Sequence, residues 1–251
     1  MDSLLTIVIP AHNEERSIAP LLTRLLDVEL PCKREIIVVD DGSTDGTVRE
    51  LEPYLKRGEV RLLRHENGCK GKGTALRTGF AAATGDFIIV QDADEEYDPR
   101  DIPALIEPLL DGRAQVVYGS RTINEHCRVD RRWTNPYWYG GRSLTVITNI
   151  LFPGCAVTDE PVGYKAIRTD LLRTIPMRCT GFEFCPELTA KVLRRKIPIY
   201  NVPIRYFPRS IAEGKKIRAW HWFEAVGVLL KYRFVSDHGP IADFDQQEAE
   251  K

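Results

Sequence analysis

Short apolar, β-branched runs alternate along this chain with segments in which apolar residues recur every three or four positions. The runs predict buried strands at residues 4–10, 35–39, 60–63, 87–90, 115–119, 164–167 and 199–206. The helical spacing predicts helices near residues 18–26, 46–56, 71–83, 102–110, 143–151, 187–194 and 219–234. Strands that are apolar throughout and alternate with helices form a mostly parallel central sheet covered by helices on both faces. The predicted fold class is therefore α/β.

Length and composition fit one domain without a dedicated nucleic-acid surface. We expect a single domain over residues 1–235, followed by a polar, disordered tail at 236–251. The formal net charge of −1 disfavours nucleic-acid binders, whose affinity needs a large basic excess. The six cysteines show no C-x-x-C spacing, which favours reduced thiols and a cytoplasmic location. No signal segment is expected and no apolar run approaches ~18–20 residues. A membrane role would therefore be peripheral.

Polar side chains follow three of the predicted strands, at residues 10–14, 40–45 and 92–94. In open parallel sheets, ligands bind beyond the carboxyl ends of the strands. The first two groups suit a ribose and a base edge, although Asp40 alone is also typical of helix capping. Asp92 and Asp94, spaced i, i+2, suit Mg²⁺ or Mn²⁺ on the phosphates of a substrate. A lone Asp-x-Asp is more often a solvated turn. Polar groups at all three strand ends together favour a metal site here. No G-x-G-x-x-G or P-loop pattern is present, which disfavours dinucleotide and P-loop sites.

Four segments together resemble one enzyme family: T-I-V-I-P-A-H-N-E-E, V-V-D-D-G-S-T-D-G-T, N-G-C-K-G-K-G-T-A-L-R-T-G and Q-D-A-D. They are similar to the inverting family-2 glycosyltransferases, whose GT-A fold has a Rossmann-like sheet. Within that family the chain most resembles dolichyl-phosphate mannose synthase and other polyprenyl-phosphate glycosyltransferases, strongly so over residues 4–121. The resemblance implies that Asp92 and Asp94 hold the metal. The implied donor-binding residues are Pro10, Ala11, Asn13, Glu14, Asp40, Asp41, Lys72, Asp92 and Ala93. For Lys70 and Lys72 a solvated basic turn stays an equal alternative.

Residues 158–165 and 182–188 resemble the acceptor side of the family. Val162 and Gly163 stand where this branch commonly has Thr-Cys, which leaves the acceptor or sugar preference open. A basic group resembles the one that grips the acceptor phosphate: Arg121, Arg205, Arg209 and Lys215. A phosphate acceptor is already anionic and needs positioning more than a base. A hydroxyl acceptor needs a carboxylate base, for which the candidates are Asp159, Glu183 and Glu187.

The predicted function is the transfer of one sugar from a UDP- or GDP-linked donor to a polyprenyl-phosphate acceptor, with inversion and with Mg²⁺ or Mn²⁺. The predicted catalytic set is Asp92, Asp94, Arg121, Glu183, Arg205, Arg209 and Lys215. Transfer to a sugar or glycolipid hydroxyl in cell-wall or polysaccharide synthesis, nucleotidyl transfer, and sugar-nucleotide binding without turnover are the alternatives. The aromatic and basic segment 217–234 is either a membrane-surface helix or an ordinary helix on the core.

Overall fold

The computed structural model describes residues 3–123, 136–154, 156–209 and 218–235. Its strands are β1 (Leu4–Ala11), β2 (Lys33–Asp40), β3 (Arg61–Arg64), β4 (Phe87–Val90), β5 (Val116–Ser120), β6 (Lys165–Arg168) and β7 (Ile199–Pro203). Its helices are α1 (Ile18–Leu26), α2 (Thr47–Lys56), α3 (Lys72–Ala82), α4 (Ile102–Leu110), α5 (Pro136–Leu151), α6 (Thr169–Arg173), α7 (Phe184–Arg194) and α8 (Trp220–Phe234). A short 3-10 helix, Pro99–Asp101, precedes α4. Lys215 and the predicted tail lie outside the described residues, so their roles stay predictions.

The strands form one mixed sheet of order β3-β2-β1-β4-β6-β5-β7. β1 is parallel to β2 and β4, and β5 is parallel to β7. Only β6 among these strands runs antiparallel, and it does so to both of its neighbours, β4 and β5. This confirms the predicted α/β class with a mostly parallel sheet. Because β6 is reversed, the chain enters it at the edge where β1, β4 and β5 end, which brings residues 158–164 to that edge.

The predicted apolar runs form the core. Residues 36–39 of β2 and 87–90 of β4 are buried, as is the inner stripe of α1, which comprises Ile18, Leu21, Leu22 and Leu25. Each such Leu or Ile stabilises the fold by about 1.5–3 kcal/mol through its burial. Gly79 of α3 lies against Val8 so closely that a Cβ would overlap that side chain. The apolar runs and the apolar helix stripe that the sequence shows are therefore the residues that the structure buries.

The polar side chains before α1 and α2 bind neighbouring loop residues. The Ser17 hydroxyl stands at the N-cap of α1 but donates to Glu14 Oε2 at 2.7 Å, so it serves the loop before the helix. α2 has Gly46 at its N-cap. There the Asp45 carboxylate accepts from the backbone N–H of Thr47 at 2.9 Å. Ser43 is used elsewhere, as an acceptor for the backbone N–H of Asn13.

α5 and α8 pack on each other, and α8 also packs on α7. Their outer surface is apolar and exposed, with Ile150 at 71%, Phe223 at 70% and Phe234 at 73% exposure. The inner residues Ala225, Leu229 and Tyr232 of α8 are buried. Within the described ranges, none of the helices has the length and apolar character needed to cross a bilayer. One face of α8 therefore packs on the core, and the opposite face carries large apolar side chains into solvent.

Candidate active site

A cavity of about 940 Å³ opens at the carboxyl edge of the sheet. Ten of the residues predicted for the site line it: Pro10, Ala11, Glu14, Asp41, Lys72, Asp92, Ala93, Asp94, Arg121 and Arg209. Its far wall is formed by aromatic residues of α5, α7 and α8 and the loop before α7, namely Tyr137, Tyr139, Phe182, Phe184, Trp222 and Phe223. One end is thus acidic and polar, and the other is largely apolar.

Asp92 and Asp94 lie in the turn after β4, and both line this cavity. Lys72 Nζ, at the start of α3, lies 2.6 Å from Asp92 Oδ1. Arg209 Nη2 donates to Asp94 Oδ2 at 2.8 Å. Burial, together with the negative charges of Asp92 and Glu96, raises the pKa of Asp94 to about 7. The two carboxyl groups therefore lie close enough to repel each other, and each has a cationic side chain beside it.

A divalent cation such as Mg²⁺ or Mn²⁺ fits this pair of side chains. In the part of the chain that the structure describes, no group of three or more His, Cys, Asp or Glu side chains is arranged to hold a metal ion. Two hard carboxylates with phosphate oxygens from the substrate are a common ligand set for Mg²⁺. Asp92 and Asp94 are the residues that would hold the cation, and the substrate would complete its coordination.

Asp41 organises the glycine-rich loop beside the cavity. Its carboxylate accepts from the backbone N–H groups of Lys70 at 2.9 Å and Gly71 at 2.7 Å, and His65 Nδ1 lies 2.6 Å from it. Burial works to raise the pKa of Asp41, but these hydrogen bonds, together with one from the Cys69 thiol, outweigh it and hold the pKa well below its usual range. Asp41 thus stays ionised and fixes the loop that leads into α3.

The loop after β1 is held against the loop after β2. Asn13 has a left-handed backbone, with φ 54°, and its side-chain oxygen accepts from the backbone N–H of Thr44 at 2.9 Å. Asp40 is fully buried, where it accepts from the backbone N–H of Ser43 and pairs with Arg64. Asn13 and Asp40, both predicted to contact the donor, do not line the cavity. They hold the loops that surround it.

Two arginines close the polar end. Arg121 makes a two-point contact with the buried Asp159, from Nε at 2.7 Å and from Nη2 at 2.8 Å, and its guanidinium lies 4.8 Å from the centre of the Tyr206 ring. Arg209 contacts both Asp94 and Glu14, the latter at 3.3 Å. Arg209 therefore joins the loop after β1 to the acidic pair after β4.

Arg205 does not reach the cavity, contrary to its prediction as a phosphate ligand. Its backbone N–H and its side chain donate to Asp101, at 2.7 Å from the backbone and 2.6 Å from Nη2. Nη1 lies 3.5 Å from Asp98. Asp101 is the last residue of the 3-10 helix before α4, and Asp98 is its N-cap. Arg205 thus ties the segment after β7 to that helix.

The three carboxylates considered as bases are all engaged within the protein. Asp159 holds Arg121, and Glu183 accepts from the backbone N–H groups of Thr180 and Gly181, both at 3.1 Å. Glu187 is fully buried and pairs with Lys191 at 2.6 Å. Neither Glu183 nor Glu187 lines the cavity, so the structure does not place Glu183 where its catalytic prediction requires it.

Sequence reasoning missed the aromatic layer under the site. Tyr97 stacks between Tyr164 and Tyr206, with ring centres 4.9 Å and 5.3 Å apart. The Tyr206 hydroxyl donates to Glu96 Oε2 at 2.8 Å. A tyrosine three residues after Asp94 was visible in the sequence, but its partners lie more than sixty residues away, so no local pattern could reveal the stack.

Residues 6–181 match the family described as Glycosyl transferase family 2. The UDP-N-acetylglucosamine–dolichyl-phosphate N-acetylglucosaminyltransferase of Methanococcus voltae is 31% identical over 254 residues, covering 93% of this chain and 96% of that protein. The undecaprenyl-phosphate mannosyltransferase of Micrococcus luteus is 29% identical over 218 residues, with 83% and 85% coverage. These matches confirm the predicted resemblance to polyprenyl-phosphate glycosyltransferases.

A solved structure shares the fold. Glucosyl-3-phosphoglycerate synthase from Mycobacterium tuberculosis, in complex with Mn²⁺, uridine diphosphate and phosphoglyceric acid, has a TM-score of 0.69 to this chain and is 25% identical. The match covers 94% of this chain and 81% of that one. It confirms the predicted GT-A fold.

Proposed function

The chain belongs to glycosyl transferase family 2, and from this premise we propose that it transfers one sugar from a UDP- or GDP-linked donor to a polyprenyl phosphate, with inversion and with Mg²⁺ or Mn²⁺. One observation carries the proposal. The acidic pair Asp92 and Asp94 and the cationic Arg121 line the same cavity, whose far wall is apolar and aromatic. Such a cavity suits a charged donor, a phosphate and a prenyl chain together. The relatives named for dolichyl and undecaprenyl phosphates support this acceptor class.

The donor would lie at the polar end. Asp92 and Asp94 would hold the cation, which offsets charge on the departing nucleoside diphosphate. Lys72 is the first residue of α3, whose N-terminus favours anions, and its ammonium group lies 2.6 Å from Asp92, beside the proposed cation site. Pro10 and Ala11 line the cavity at the end of β1, where a nucleoside would contact them. The solved structure of similar fold that contains Mn²⁺ and uridine diphosphate supports a divalent cation and a nucleoside diphosphate as the ligands.

The engaged carboxylates favour a phosphate acceptor over a hydroxyl. A hydroxyl acceptor needs a base in reach of the sugar, and Asp159, Glu183 and Glu187 each bind groups of the protein instead. A phosphate needs only to be positioned. The Arg121 contact with Asp159 uses Nε and one N–H of Nη2, so the guanidinium retains further N–H donors for a phosphate oxygen.

In the proposed step, an acceptor phosphate oxygen attacks the anomeric carbon from the face opposite the leaving group. The bond from that carbon to the diphosphate oxygen breaks, and the nucleoside diphosphate leaves with the electron pair. A single displacement inverts the anomeric configuration. Arg121 and the aromatic wall hold the acceptor in line, and the fixed geometry supplies much of the rate advantage.

The exposed apolar face of α5 and α8 would bring the cavity to a membrane, as a peripheral association on the cytoplasmic side. Its large side chains are Val146, Ile150, Trp220, Phe223, Leu230 and Phe234. Arg142, Lys231 and Arg233 are exposed on the same two helices. Apolar and basic residues together favour an anionic lipid surface. Phe223 also lines the cavity, so the face is continuous with the proposed acceptor site.

The test is a transfer assay with UDP- and GDP-sugars, Mn²⁺ and a short-chain polyprenyl phosphate. We expect an acid-labile sugar–phospholipid and one equivalent of nucleoside diphosphate. A glycoside formed only with hydroxyl acceptors, and a large rate loss in Glu183→Gln, would instead establish hydroxyl transfer. Pyrophosphate release would establish nucleotidyl transfer. Donor binding with neither transfer nor hydrolysis would identify a binding protein.

A further inference from the structure

Gly163 lies opposite Asp92 across the β4–β6 ladder. These strands pair antiparallel, with Ile89 opposite Ala166. The same register, continued past the carboxyl end of β4, sets Asp92 opposite Gly163. The Tyr164 hydroxyl donates to the side chain of Gln91, which confirms that the two segments remain adjacent beyond the ladder.

No space exists for a side chain at Gly163. A Cβ built there would overlap Asp92 Oδ2, and it would lie 3.3 Å from Asp92 Cγ and 2.9 Å from Tyr97 Cε2. Among the described residues with positive φ, Gly163 does not appear. It is therefore the space beside Asp92, and not the backbone conformation, that requires glycine.

The other side of Gly163 is rigid. Tyr97 is 4% exposed, and its ring is stacked between those of Tyr164 and Tyr206. The backbone N–H of Gly163 donates to the Tyr97 hydroxyl at 2.9 Å. Close-packed rings and tethered backbone do not yield easily. A methyl group at position 163 would therefore displace the Asp92 carboxylate, which is the movable neighbour.

We propose that Gly163 positions Asp92 for binding the divalent cation, because the absence of a side chain at Gly163 leaves open the space that Asp92 Oδ2 occupies. Lys72 holds the other oxygen of the same carboxylate, at 2.6 Å. This inference rests on the proposed function, in which Asp92 is a metal ligand. Residues that orient metal ligands typically contribute about 10–100-fold to metal affinity. Substitution of Gly163 thus weakens metal-dependent donor binding and spares the nucleoside contacts on β1.

The experiment measures the dissociation constant of UDP or GDP, whichever binds the wild type more tightly, by calorimetry in saturating Mn²⁺ and again in EDTA. The ratio of the two constants reports how much Mn²⁺ strengthens nucleotide binding. For Gly163→Ala we expect this ratio to fall by about 10–100-fold, with the constant in EDTA unchanged. The matched control is Gly227→Ala in α8, where a Cβ meets no atom within 4 Å, and its ratio should equal that of the wild type.

Asp92→Asn separates failure of this inference from failure of the proposed function. If Asp92→Asn keeps the full ratio, Asp92 is not a ligand and the proposed metal site is wrong. If Asp92→Asn loses the ratio while Gly163→Ala keeps it, the role of Gly163 alone is refuted. Should Gly163→Ala not fold, Tyr97→Phe removes only the hydroxyl that fixes the Gly163 N–H. We expect the ratio to fall severalfold in that variant, and an unchanged ratio overturns the inference.

Discussion

Asp94→Asn tests the metal site most directly. Asparagine keeps the size of the side chain. In Asp94 one carboxylate oxygen accepts from the Glu96 N–H at 3.2 Å and the other from Arg209 at 2.8 Å, and the single oxygen of asparagine can keep one of these two bonds. The substitution removes one negative charge beside Asp92. In the ligand-free protein, the loss of the ionic contact with Arg209 and the relief of repulsion oppose each other. We therefore expect little change in Tm without ligand.

The magnitude follows from ligand linkage. A nucleoside diphosphate with Mn²⁺ at about 100 times its Kd stabilises the folded state by about 2.7 kcal/mol. For a chain of this size that corresponds to a rise in Tm of about 5–11 °C. The part of the rise that disappears in EDTA is the metal-dependent part. We expect Asp94→Asn to lose that part, because one of two protein ligands has lost its charge.

The assay is a thermal-shift titration of both proteins with UDP and GDP, with Mn²⁺ and with EDTA. The matched control is Asp111→Asn at the end of α4. It also removes an aspartate charge that pairs with an arginine, here Arg113, but neither residue lines the cavity. Its metal-dependent shift should equal that of the wild type. An undiminished shift in Asp94→Asn would refute the assignment of Asp94 as a ligand.

Three further predictions concern other parts of the site. The pKa of Asp41 is lower in the folded than in the unfolded protein, so its stabilising contribution is fully present above the unfolded pKa of ~3.9 and is lost as the pH falls below that value. Urea unfolding should therefore show a steeper loss of stability from about pH 5 to about pH 3 in the wild type than in Asp41→Asn. Arg121→Lys loses the two-point contact with Asp159, and we expect the acceptor KM to rise about tenfold with the donor KM unchanged in steady-state kinetics; equal changes in both would contradict acceptor positioning. Phe223→Ser with Phe234→Ser should weaken sedimentation with anionic vesicles by at least about tenfold, since burial of each Phe contributes about 1.5–3 kcal/mol; unchanged sedimentation would exclude this face from the membrane contact.

The local chemistry of the donor side could be predicted because it follows strand ends. An apolar run followed by Asp-Ala-Asp indicates where β4 stops, and the parallel arrangement brings that end to the same edge as Pro10 and Asp41. The predictions for Asp92 and Asp94 needed only this edge, whereas the prediction for Lys72 came from the family resemblance. The structure brings all three to one cavity.

The roles of Arg205 and Glu183 could not be predicted in the same way. A sequence shows that a charged side chain is present, but not which oppositely charged group it pairs with in the folded protein. Arg205 donates to Asp101, which lies 104 positions earlier in the chain. Glu183 accepts from the backbone N–H of Thr180 in its own loop. Both carry the right chemical group for the predicted role, and both are committed to contacts elsewhere.

By itself, the sequence determined the alternation of strands and helices, the α/β class and the acidic pair after β4, because periodicity and strand ends are local properties of the chain. Only the tertiary structure decided which charged groups face the cavity, that Tyr97 lies under it, and that Gly163 lies against Asp92. The reason is physical. The reversed strand β6 brings together residues about seventy positions apart, and such a contact depends on strand order and register, which no local pattern encodes.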